Sequence, residues 1–167
     1  MFFCQKGNPA DRSKVLEVLG RWDREIDAVD NATDAMRLVA AQDPEDIQSA
    51  AFEEKRMTAV QVVNDGLEWT KEPRNWPLLI DDKGSELVAA LQVLVNELLA
   101  QQLDHLRLQR ELVEVLRGGR ASESTGDDLR VLNDRMATYL HEINKVSKRL
   151  AKHYRITAQD FRHFQRL

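Results

Sequence analysis

Apolar residues placed alternately three and four positions apart recur from Val15 to Leu150, and this heptad-like spacing constrains the chain more than any other feature. Such stripes are what long helices need in order to pack side by side. The first runs through Val15, Leu19, Trp22, Ile26, Val29, Thr33, Met36 and Ala40, with charged residues such as Asp23, Arg24 and Asp27 between them. A later segment runs through Leu87, Leu91, Leu94, Leu98, Gln101, His105, Leu108, Leu112 and Val115, and beside it lies a second stripe of Val88, Val95, Leu99, Leu106, Val113 and Leu116. Two adjacent stripes make a face too wide for a two-stranded seam, so this helix is expected to touch at least two neighbours at the centre of a bundle. The last long segment repeats the spacing with Leu129, Leu132, Met136, Tyr139, Ile143, Val146 and Leu150. The segment holding Ile47, Ala51, Met57, Val60, Val63 and Leu67 is less regular.

Turn and cap residues divide these stripes. Asn8-Pro9 followed by Asp11 places a cap, a first-turn proline and an acid at a helix start, and Asp43-Pro44-Glu45-Asp46 repeats the device. Pro73 and Pro77 bracket a connector from Lys71 to Leu78, which Trp69 and Trp76 are expected to pack down. Gly118-Gly119 reads as a helix stop, and the polar run Arg120 to Gly126 as an exposed hinge-like loop. Thr157 with Asp160 three residues on suits the cap of a short final helix. The expected fold is therefore all-α. It is one domain of three to four long, mainly antiparallel helices over 8–42, 44–70, 79–117 and 127–154, with a flexible loop at 118–126 and a short basic helix at 157–166.

At 167 residues the chain can bury a core without disulfide or metal support. Its single cysteine, Cys4, cannot form an internal disulfide, and no apolar run approaches the roughly 20 residues that span a bilayer. Met1 to Cys4 is too short for the apolar region of a signal peptide, so a cytoplasmic location is expected.

The formal net charge of −4 conceals an asymmetry: Lys145 to Leu167 holds seven Lys or Arg against one acid, Asp160, which leaves −10 on the remainder. Lys145, Lys148, Arg149, Lys152 and Arg155, beside Tyr154, Phe161 and Phe164, form a basic stripe that could meet a polyanion. A solvated helix face is the simpler reading of the same residues.

Chemistry is thinly represented. No paired Glu-x-x-His motif occurs, and Asp160-Phe-Arg-His163 stands alone. Gln101 and His105, a turn apart within an apolar stripe, are expected to act as a hydrogen-bonded, register-setting polar layer rather than as metal ligands. No phosphate-binding glycine loop is present, and neither a cofactor nor a metal is expected. Arg135 and His141, with five residues between them, resemble the spaced Arg–His motif of HEPN-type ribonucleases, although Met136 replaces the polar residue that usually follows that arginine.

A broader resemblance joins the first three helices. Leu38-Val-Ala-Ala-Gln-Asp-Pro-Glu-Asp-Ile47, followed by Glu53-Glu-Lys55, resembles the helix, Asp-Pro break and Glu-Lys entry of FlgN-type flagellar export chaperones. Leu112 to Gly119, ending Val-Leu-Arg-Gly-Gly, is similar to the end of that family's long third helix. The resemblance spans about residues 16 to 126; the family's asparagine pair is replaced by Gln101-Gln102-Leu103-Asp104-His105, and a further long helix follows Gly119. It implies a cytoplasmic, non-enzymatic chaperone that binds the C-terminal amphipathic helix of an export substrate. Leu108, Leu112, Val113 and Leu116 are the expected contact surface, because they close the widest apolar face. The resemblance-independent expectation is the same in outline: a helical protein partner, with nucleic acid as the alternative, and a homo-oligomer left open.

Overall fold

In a computed structural model, residues 7–42, 50–117 and 123–164 are described. After a 3-10 turn at Pro9–Asp11 the chain forms α1 (Arg12–Gln42), α2 (Ala50–Lys71), a second 3-10 turn at Pro73–Asn75, α3 (Asp82–Arg117), α4 (Glu123–Tyr154) and α5 (Ala158–Phe164). No strand occurs among the described residues. No helix among them is long and apolar enough to cross a membrane.

Sequential helices are spatial neighbours: α1 packs on α2, α2 on α3 and α3 on α4, while α1 meets α4 more sparingly and α5 lies against α1. The ends fix the direction of each helix. Asp11 bonds the chain just before α3, and Arg12 Nε donates to the carbonyl of Tyr154 at the end of α4. The starts of α1 and α3 and the end of α4 therefore share one end of the bundle. At the other end, Met36, Phe52, His105 and Met136 surround one cavity. The long helices thus alternate up and down.

Heptad burial follows the stripes where a neighbour exists. Leu91, Leu99 and Leu106 of α3 and Ile143 and Leu150 of α4 are the largest fully buried apolar side chains, each contributing about 1.5–3 kcal/mol through loss of exposed area. A few polar ties set the α2–α3 register. Arg56 Nη1 donates to the Leu106 carbonyl at 3.2 Å and also holds Glu53 through two contacts of 2.8 and 2.7 Å. Gln92 Nε2 donates to the Thr70 carbonyl at 2.8 Å.

The connector before α3 is well anchored. Trp69 and Trp76 are both buried, with ring centroids 4.9 Å apart. Asp81 accepts from the backbone N–H groups of Lys83 and Gly84 and from Tyr154 Oη, and lies 2.6 Å from His153 Nε2. Burial would raise the Asp81 pKa, but the hydrogen bonds from His153, Gly84 and Tyr154 outweigh it and hold this carboxyl below its ordinary value. Burial, with Asp81 and Asp11 close by, pushes the Tyr154 hydroxyl up. Arg155 takes a left-handed φ of 54° after α4, which turns the chain into α5 while the N–H of Ile156 bonds the Ala151 carbonyl. Asp160 then caps α5 by accepting from Thr157 N and Oγ1 and ion-pairs with Arg12 at 2.8 Å. The Arg12 bond, with those from Thr157, pulls the Asp160 carboxyl down to about 2.

One boundary differs from expectation by a full turn of helix. Residues 123–126, expected within a loop, already belong to α4. Thr125 is buried, so this turn packs on the bundle instead of standing in solvent as a loop. The second helix is described from Ala50, and its expected start at residue 44 lies outside the described residues. The Asp43–Asp46 cap, the Gly118-Gly119 stop and residues 120–122 of the expected hinge at 120–126 lie outside the described residues, as does Cys4.

Candidate partner-binding groove

The two stripes of α3 part company along its length. Val88, Val95, Leu99, Leu106 and Val113 stay buried throughout, whereas the other stripe is buried at Leu87, Leu91 and Leu98, with Leu94 partly buried against the core, and is only half-buried at every position from Gln101 through His105 and Leu108 to Leu112. An apolar helix face that leaves the core lacks a complete neighbour there among the described residues. It opens into a cavity of about 200 Å³ at the end of the bundle.

Each long helix supplies part of this groove. From α1 come Thr33, Met36, Arg37 and Ala40, from α2 Phe52, from α3 Gln102, His105, Gln109, Leu112 and Val113, and from α4 Asn133 and Met136. Met36, Met136 and Phe52 make the walls apolar and, through the methionines, adaptable in shape. The polar groups are only partly satisfied: His105 Nδ1, Gln109 Oε1 and, one turn before His105, Gln101 Oε1 are buried without a hydrogen-bond partner. The expected hydrogen-bonded layer at Gln101 and His105 is therefore corrected. Gln101 Oε1 and His105 Nδ1 meet no partner among the described residues; His105 faces the groove, whereas Gln101 lies outside its lining.

Burial, reinforced by the nearby positive charge of Arg37, lowers the His105 pKa from 6.5. The unfolded chain then binds a proton at a pH where the folded chain does not. This contribution to stability is complete above about pH 6.5 and is lost as the pH falls through the lower folded value. His105→Gln should consequently show a smaller drop in Tm between neutral and mildly acidic pH than the wild type. Equal drops would mean that His105 is not held neutral.

Of the expected contact residues, Leu112 and Val113 line the groove, with Val113 mostly within the core at 8% exposure. Leu108 is half-buried outside the lining, and the Leu116 side chain lies outside the described residues. Met36, Phe52 and Met136 were not expected in the site; the two methionines occupy ordinary core positions by spacing, whereas Phe52 lies off the irregular stripe read for the second helix, whose Ala51 and Met57 are exposed.

The other candidate constellations do not converge. Lys145, Lys148, Arg149 and Lys152 share an exposed stripe of α4, where Lys145 lies 3.6 Å from Glu142, and Arg155 is exposed just beyond. Two of the aromatic residues expected to interleave with them turn inward, Tyr154 buried against Asp81 and Phe161 half-buried, while the Phe164 side chain lies outside the described residues. Arg135 and His141 are both exposed on α4, six positions and hence about 120° apart around the helix. Asp160, the acid of the isolated Asp-x-x-His pattern, is engaged by Arg12. Among the described residues no group of three or more His, Cys, Asp or Glu side chains is placed to hold a metal ion.

No protein-family model matches this sequence, and comparison with curated proteins and with solved structures finds no match.

Proposed function

We propose that this bundle is a non-enzymatic partner-binding protein of the export-chaperone kind, which receives the apolar face of an amphipathic helix in the groove between α1, α3 and α4. One observation carries the reading: among the described residues, the apolar stripe of α3 surfaces at Leu112 in a methionine-lined cavity instead of ending under a neighbour. Helix-in-groove recognition supplies the missing packing, since the partner's apolar side chains replace water on Leu112, Met36 and Met136. The unpaired His105 Nδ1 and Gln109 Oε1 favour a partner helix that also carries a hydrogen-bonding side chain, such as an amide, at the point of contact. The cytoplasmic location and the export substrate belong to the same proposal and draw on the resemblance of Leu38–Lys55 and Leu112–Gly119 to FlgN-type chaperones.

The test is titration of the purified chain against fluorescently labelled C-terminal helices of hook–filament junction subunits. Saturable binding is expected, weakened at least about a hundredfold by Leu112→Asp, because burying an unpaired carboxylate costs several kcal/mol. Circular dichroism of the variant must show an intact helical fold. Absence of binding, or equal binding by wild type, Leu112→Asp and Met136→Asp, overturns the proposal.

A further inference from the structure

At the opposite end of the bundle, two independent features lie side by side. The first is a cleft of about 410 Å³ between α1 and the connector, lined by Lys14, Arg21, Arg24 and Arg74, with Trp69 and Pro77 in its walls. Lys14, Arg21 and Arg24 fall on one face of α1 because seven and three residues complete nearly whole turns. Arg21 lies over the Trp69 ring at 5.8 Å and pairs with Glu25, and Arg74 pairs with Glu72 at 3.3 Å. Glu17 is the one acid in the lining. In a chain of net charge −4 this is a local concentration of cationic side chains.

The second feature is the segment that leaves the cleft. Leu78 and Ile80 are 91% and 67% exposed, while Leu79 between them packs against the core. This tip is tied in place. Asp11 accepts from the N–H groups of Ile80 and Asp81, Lys14 Nζ donates to the Leu78 carbonyl at 3.3 Å, and Ser85 Oγ donates to the Leu79 carbonyl. Two large aliphatic side chains held in water by a rigid loop mark a contact surface. Their neighbour through Lys14 is the cationic cleft.

We propose that this end of the bundle docks on an anionic phospholipid surface, with a headgroup phosphate in the cleft and Leu78 and Ile80 in the interfacial layer. Arginine suits the phosphate, because its planar fork matches two oxygens at once. The aliphatic pair adds the apolar anchor that a few basic residues need for stable attachment to a bilayer surface. Asp82, exposed beside Ile80, opposes an anionic surface, so the attraction must come from the cleft side. The Asp81 carboxylate is turned inward to His153 and Tyr154.

The experiment is co-sedimentation of the full chain with vesicles of phosphatidylcholine alone and with about a quarter phosphatidylglycerol, at about 0.1 M salt. Binding is expected only to the anionic vesicles and should fall at least about tenfold with Leu78→Glu and with Arg74→Glu. Both side chains are 91% exposed, so each variant should keep the wild-type Tm. Equal binding to both vesicles, no binding, or anionic binding insensitive to both substitutions overturns the proposal. Saturable binding of ATP or inorganic phosphate without vesicle binding also overturns it, and would make the cleft a site for a soluble anion.

Discussion

Leu99→Ala is expected to lower the unfolding free energy by about 2–5 kcal/mol, and adding Gly66→Ala should restore part of that loss. Leu99 is 1% exposed on α3 and lies where α2 presents Gly66. A Cβ at Gly66 would stand 3.0 Å from Leu99 Cδ1 and 3.3 Å from Glu25 Oε2, so the close approach of α2 to α3 uses the missing side chain. Truncating Leu99 removes buried methyl groups and leaves a void that two packed helices close only in part. In the wild-type background, Gly66→Ala has opposing effects. It gains about 1 kcal/mol of helix propensity but crowds Leu99 at an overpacking cost of about 1–3 kcal/mol. With Leu99 truncated, its crowding disappears, only the Glu25 carboxylate stays close, and the new methyl group enters the void. The double variant should therefore be more stable than the sum of the singles predicts, by about 0.5–3 kcal/mol. Urea unfolding of the four proteins, followed by circular dichroism, measures the coupling. Strict additivity would mean that the two residues do not share that space.

The architecture is legible in the sequence because helix packing is written in periodicity. Leu91, Leu99, Ile143 and Leu150 all fall on the stripes and are all fully buried. The Trp69–Trp76 contact and the Thr157–Asp160 cap likewise follow from short-range spacing and turn chemistry. The groove is only half legible. Leu112 occupies the same heptad position as Leu91, yet one is half-buried and the other fully buried. Periodicity reports which face avoids water, whereas the presence of a neighbour at each level depends on where the other helices end. The cationic cleft is harder to see, since Lys14, Arg21 and Arg24 look like ordinary solvated positions on α1 until the connector brings Arg74 and Pro77 opposite them.

Asp11 shows the same limit and leads to the second large effect. By spacing it is a first-turn acid that favours a helix start. In the fold it is fully buried, and its Oδ2 accepts from the N–H groups of Ile80 at 2.8 Å and Asp81 at 3.1 Å, nearly 70 residues away in the chain. Asp11→Ala strands both donors in the connector, each at a cost of about 1–3 kcal/mol. Water reaches the exposed Ile80 side and recovers part of this, so a loss of about 2–4 kcal/mol is expected. Asp11→Asn keeps an acceptor oxygen of nearly the same shape and gives up the charge facing Lys14, whose Nζ is 3.9 Å from Oδ1. It should lose about 1 kcal/mol. Hydrogen exchange separates this clasp from general destabilisation: the Ile80 and Asp81 amides should exchange faster in Asp11→Ala than the amides of central α3, and should stay protected in Asp11→Asn. If both variants match the wild type at these two amides, Asp11 does not hold the connector. The rigid presentation of Leu78 and Ile80 would then need another source, because the remaining ties, from Lys14 and Ser85, engage the carbonyls of Leu78 and Leu79 and leave the Ile80 backbone free.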